Sequence, residues 1–158
     1  MKNIASFEID HTKLYPGLYV SREDFVACSK VTTFDIRVCK PNTSFIMNTG
    51  EIHTIEHIIA TYLRNNDQWS DKVIYFGPMG CRTGFYLILA GKYSSVDVLP
   101  LIKECFAFVA NFEGAIPGAT AIECGNYLDM DLPTAKTTAE EYLNVLNNIT
   151  SDRLVYPK

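Results

Sequence analysis

The chain has 158 residues, 47% of them hydrophobic and 20% charged, with a net charge of −4. That balance is long and apolar enough for one domain with a real core, and it excludes intrinsic disorder. No basic run supplies the clustered Lys and Arg that a nucleic-acid surface needs, and no apolar run reaches the length that crosses a bilayer.

In chain order, the N-terminal stretch Met1-Lys2-Asn3-Ile4-Ala5 lacks the apolar core of a secretory signal. Residues 30–39 alternate and are rich in β-branched side chains, which predicts a strand; Pro41-Asn42 breaks it. Arg37 interrupts that strand, and a charge in a strand interior needs a partner, either a structural carboxylate or a substrate. Ile55, Ile58, Ile59, Tyr62 and Leu63 recur at helical spacing, predicting a helix over 52–63 that ends near Asn65 and Asn66. A short strand over 73–76, a Gly-Pro-Met-Gly turn over 77–80 and a returning strand over 81–90 follow. A helix over 99–112 is expected to start at Pro100, and residues 121–124 read as a strand or the arm of a turn. The last helix is predicted over 137–149, capped by Thr137 with Glu140. The strands lack βαβ regularity, so the expected class is α+β: an antiparallel sheet with helices on one face, in one domain over 1–158.

Within the first helix stands His53-Thr54-Ile55-Glu56-His57. Two histidines four apart share a helical face and can hold one divalent ion, with the Glu56 carboxylate beside it. This is the inverted H-x-x-E-H order. A catalytic metal wants three protein ligands and an open position, so the third comes from a distant segment. Cys124, between Glu123 and Gly125, is the best candidate; a His2Cys set suits Zn2+ or Fe2+. Cys81, directly after the 77–80 turn, is a second reactive candidate, with Arg82 as weak support because strand alternation points it away. Cys105 falls on the apolar side of its helix and is assigned to the core, as are Cys28 and Cys39. His11 follows Asp10 near the N-terminus and reads as a surface residue. Five unclustered cysteines suggest reduced thiols and a cytoplasmic setting.

Taken together, Ser6-Phe7, Asp10-His11-Thr12, Phe34-Asp35-Ile36-Arg37, Pro41-Asn42, the His53 to His57 motif, Pro78-Met79-Gly80-Cys81-Arg82-Thr83-Gly84 and Cys124-Gly125 resemble the LuxS family of S-ribosylhomocysteine lyases, which make the autoinducer-2 precursor. The likeness runs from residue 6 to about residue 132. It implies His53, His57 and Cys124 as metal ligands, with Fe2+ as the ion and Zn2+ or Co2+ as substitutes. It implies Glu56 and Cys81 as the acid/base pair, and Ser6, His11 and Arg37 as substrate-binding residues. It also implies a homodimer with its sites at the interface. Two positions depart from the family's usual pattern. An acidic residue is usual in the strand before the Pro-Met-Gly-Cys turn, where this chain has Tyr75-Phe76-Gly77, and a histidine is usual where Met130 stands. The alternative reading is a metallopeptidase, with Glu56 activating water and Glu123 as the third ligand.

Overall fold

The computed structural model describes residues 7–43 and 45–157. Ser6 lies outside them. A four-stranded sheet is built from β1 (Gly17–Val26), β2 (Ser29–Arg37), β3 (Val73–Pro78) and β4 (Gly84–Ala90), in the order β1-β2-β4-β3. Every pairing is antiparallel. Three helices, α1 (Thr49–Arg64), α2 (Ser95–Ala110) and α3 (Leu132–Asn147), cover one face. Phe34, Ile36, Phe85, Leu87 and Leu89 point into the core, where they meet Ile55, Ile58, Ile59, Phe106 and Tyr142 from the helices. The class is the expected α+β.

Strand β1 was not visible in the sequence pattern. It is an edge strand whose second half is largely solvent-exposed, with charges at Arg22, Glu23 and Asp24 and a bulge between Val20 and Arg22, so the apolar alternation fades. It joins β2 through a two-residue turn at Ala27 and Cys28, both at positive φ (46° and 67°). Cys28 is therefore exposed at a hairpin tip rather than in the core; Cys39 and Cys105 are buried as expected.

Helix boundaries moved where capping decided them. α1 starts at Thr49 because Asn48 and Glu51 form a reciprocal capping box. Glu51 is buried, and its other oxygen accepts the Thr138 hydroxyl at 2.8 Å, tying α1 to α3. α2 begins at Ser95, capped by Ser94 with Asp97, which leaves Pro100 in the second turn rather than the first. The carbonyl that its missing N–H leaves free belongs to the exposed Val96. α3 begins at Leu132, capped by Asp131, so Thr137 is mid-helix and bonds back to the Pro133 carbonyl. Strand β4 starts at Gly84, not at residue 81, so Cys81 sits in the turn before it.

Alternation in β2 has one further result. With Phe34 and Ile36 directed into the core, Asp35 and Arg37 lie on the opposite face, yet both are almost fully buried (1% and 2% exposed). In register, Asp35 lies between Tyr19 and Tyr86, and Arg37 between Gly17 and Gly84. A Cβ at Gly84 would run into the Ile36 carbonyl, and one at Gly17 into the Arg153 carbonyl and the Tyr19 ring, so close packing requires glycine at both flanking positions.

Candidate active site

His53 and His57 project from one face of α1, as their spacing requires. Their Nε2 atoms lie 3.1 Å apart, and Cys124 Sγ lies 3.4 Å from His53 Nε2. The three donor atoms all fall within 4.8 Å of one another. Cys124 belongs to a turn, and the turn alternative is the one realised for residues 121–124. The backbone N–H of Asn126 is directed at the Cys124 sulfur, at 3.5 Å.

The second nitrogen of each ring is engaged. His57 Nδ1 is 2.7 Å from the Pro117 carbonyl. A carbonyl only accepts, so Nδ1 carries the proton and Nε2 presents its lone pair. His53 Nδ1 is held at 2.7 Å by Asp129 Oδ1, with the same consequence. Two imidazole nitrogens and a sulfur, facing one point and steadied from behind, fit a divalent transition metal and leave a coordination position open. Gly118, at φ +70°, lets the connecting chain pass close behind His57: a Cβ there would come within 3.1 Å of Nδ1.

Glu56 shares this helical face. It is half-buried and makes no hydrogen bond or ion pair with another described residue. Glu123, the third ligand of the peptidase alternative, is not in the donor group; its carboxylate accepts the Thr120 hydroxyl at 2.7 Å and closes its own turn.

A second cluster surrounds Cys81. Arg37 donates to both oxygens of Asp35, at 3.1 and 2.5 Å, and to the Thr83 hydroxyl at 2.5 Å. Thr83 in turn lies 3.1 Å from Cys81 Sγ, and Arg37 Nη1 approaches the same sulfur at 3.9 Å. Burial acts to raise the Cys81 thiol, but the Thr83 hydroxyl and backbone hydrogen bonds, together with the Arg37 charge, outweigh it and leave the pKa below the ordinary thiol value. The structural partner of Arg37 is thus Asp35, two residues away on the same strand face. The cation near the thiol is Arg37, not Arg82, which sits in the turn at φ +59° with its carbonyl accepting from Met47.

His11, Asn42, Cys81 and Thr83 line one hollow of about 340 Å³. His11 is half-buried there rather than a plain surface residue, with Nδ1 at 2.8 Å from the Ile9 carbonyl. The structure therefore brings His53, His57 and Cys124 together, and separately His11, Arg37 and Cys81. Among the described residues no hydrogen bond or ion pair joins the two groups.

Asp129, the Pro117 carbonyl and Thr83 were missed in the sequence. Only the Asp35-x-Arg37 spacing carried a usable signal, because residues two apart on a strand share a face.

Known proteins resemble this chain along its whole length. The family model described as S-Ribosylhomocysteinase (LuxS) matches residues 4–152. The chain is 58% identical over 158 residues to an S-ribosylhomocysteine lyase of Clostridium beijerinckii, covering 99% of both chains. It is 54% identical to one from Clostridium acetobutylicum, with both chains covered completely. It is also 54% identical to one from Borreliella burgdorferi, over 99% of this chain and all of the relative. With that extent of likeness, the chain belongs to the LuxS family of S-ribosylhomocysteinases.

Proposed function

We propose that the protein is an S-ribosylhomocysteine lyase that releases homocysteine and 4,5-dihydroxy-2,3-pentanedione, the whole chain acting as one catalytic domain. The observation that carries this reading is the His53–His57–Cys124 donor group on a chain of this family. These three residues hold the metal, Fe2+ in our reading with Zn2+ or Co2+ as substitutes. When bound, the ion acts as a Lewis acid that polarises the sugar carbonyl and acidifies the neighbouring C–H.

The protein's own groups then move protons. After the ribose opens to its aldose, a base removes the C2 proton and delivers it to C1, which shifts the carbonyl to C2. A second shift of the same kind brings it to C3. Removal of the C4 proton then expels the homocysteine thiolate by β-elimination. Glu56 and Cys81 are the proton carriers. Glu56 has its carboxylate uncommitted on the ligand face of α1, and Cys81 has its thiolate favoured by Thr83 and Arg37. His11 lines the Cys81 hollow, and Arg37 lies buried behind it against Thr83 and Cys81; in this reading the two residues and Ser6 bind the polar ends of the substrate.

We also read the enzyme as a homodimer. Large apolar side chains stand exposed at Phe7 (73%) and Phe45 (52%) in the N-terminal part of the chain and at Ile122 (98%) and Leu128 (81%) in the segment that carries Cys124. In this reading a second copy covers these side chains, and the sites lie at the interface. All five cysteines are free, which suits a reducing cytoplasm, and no helix among the described residues is long and apolar enough to cross a membrane.

The test is anaerobic. Fe2+-loaded protein is given S-ribosylhomocysteine and free thiol is followed. Release that a chelator stops, and that Cys81→Ala and Glu56→Gln abolish while still folding and holding metal, is the expected result. Full turnover in either variant removes that residue from its role.

A further inference from the structure

Tyr156 lies beyond residue 152, where the family match ends, yet it reaches the Cys81 cluster. Its hydroxyl donates to Asp35 Oδ2 at 2.8 Å, the same oxygen that accepts from Arg37 Nη2. Its ring stacks on Tyr19, with centroids 5.0 Å apart and planes at 12°. Tyr19 is itself buried and pinned by its hydroxyl to the Tyr15 carbonyl. The short 3-10 turn Ser151–Arg153 and the residues after it are tethered on both sides: Ser95 Oγ donates to the Leu154 carbonyl, and Arg153 donates to the Pro16 carbonyl while lying over the Tyr15 ring. A free-running tail has no need of these anchors.

We propose that Tyr156 is a positioning residue for the lyase reaction: its hydroxyl clamps Asp35, and through Asp35 it fixes the Arg37 guanidinium against Cys81. The proposal rests on the reading of Cys81 as a proton carrier. Burial, reinforced by the Asp35 charge, holds the Tyr156 phenol protonated, so it donates across the physiological range. With the hydroxyl present, Asp35 Oδ2 has a second donor, and more of the guanidinium's field is left for the sulfur. Without it, Asp35 neutralises Arg37 more fully and is free to draw it away from Thr83 and Cys81.

Other ionisable groups face this cluster and bound the effect. Tyr86 from β4 interacts with both Asp35 and Cys81. His11 from the N-terminal segment interacts with Asp35, and Tyr142 from α3 and Tyr19 from β1 feel its charge. Burial holds all three tyrosines above their usual pKa. The tyrosines therefore stay neutral while the thiol titrates.

The test is the pH dependence of iodoacetamide alkylation at each cysteine of the full-length, Fe2+-loaded protein, resolved by peptide mass spectrometry. In Tyr156→Phe the Cys81 midpoint moves up by about half a pH unit, the size of a lost hydrogen bond acting at second hand. Exposed Cys28, far along the sheet at the hairpin tip, does not move. The limb of kcat/KM that reports the thiolate shifts in parallel. An unmoved Cys81 midpoint in a folded variant, or an equal movement at Cys28, overturns the proposal. If Tyr156→Phe does not fold, Ser95→Ala carries the test: it loosens the tail without touching Tyr156 or Asp35, and a smaller upward shift is expected, while none overturns the proposal. The alkylation midpoint needs no turnover. A fully active Cys81→Ala would therefore refute the proton-carrier reading independently of whether Tyr156 sets the thiol.

Discussion

Asp129 holds His53 Nδ1 at 2.7 Å, and this contact, made across a separation of 76 residues, aims the opposite ring nitrogen at His57 and Cys124. In Asp129→Asn the carboxylate's charge and its strong acceptor are lost while the size is kept. We expect metal affinity to fall by about 10–100-fold, as for other partners behind a ligand histidine. Competition against a chromophoric chelator measures it directly.

Gly118 gives a second handle on the same ring. Alanine there is strained by the +70° φ and brings its Cβ within 3.1 Å of His57 Nδ1, against the Pro117 carbonyl contact. Gly118→Ala should lower metal affinity by at least about tenfold and stability by about 1 kcal/mol. Gly80→Ala is the control, since a Cβ at Gly80 meets nothing within 4 Å and its φ is not positive. Equal metal retention in the two variants would contradict the geometry.

Thiol reactivity should be ordered by environment. Only the thiolate reacts, and a lowered pKa displaces the rate–pH curve toward acid, so Cys81 should alkylate at lower pH than an unperturbed cysteine. Cys39 is buried, and desolvation pushes its thiol up to about 11, against a hydrogen bond from the Met47 backbone. It should react only after unfolding. Time-resolved labelling at pH 7 that modified Cys39 as fast as Cys81 would refute this.

The Thr138–Glu51 contact should be worth measuring as stability. Thr138→Val keeps the shape but leaves a buried carboxylate oxygen without its donor. The expected cost is about 1–2 kcal/mol, read as a lower midpoint in urea unfolding with an unchanged slope. Lyase activity of the folded fraction should not change.

How much of this was legible in the sequence depended on whether a residue's partner was local. His53, Glu56 and His57 were placed by helical spacing alone, and β2, α1 and β3 by periodicity. Cys124 was singled out by its neighbours Glu123 and Gly125, and the fold brings it to the histidines. The starts of α2 and α3 were misjudged because Ser94 and Asp131 cap earlier than Pro100 and Thr137 suggested, and a cap outweighs a Pro or Thr signal one turn later. Strand β1 was hidden by its solvent-facing charges. Asp129 and Thr83 act only through partners that the tertiary fold supplies, and Asp35 became readable as the partner of Arg37 once the two were known to share a strand face.

The stretch between α2 and α3 has little regular structure of its own, a single 3-10 turn at Tyr127–Asp129, and it carries Pro117, Cys124 and Asp129. One local opening of this stretch removes the sulfur donor and the restraints on both imidazoles in the same motion. Such openings cost less than unfolding the whole domain. For the proposed metal site, the ion's residence time is then expected to follow the opening of this connection rather than unfolding of the core, and a stabilising change in the sheet should leave the rate of metal exchange where it was.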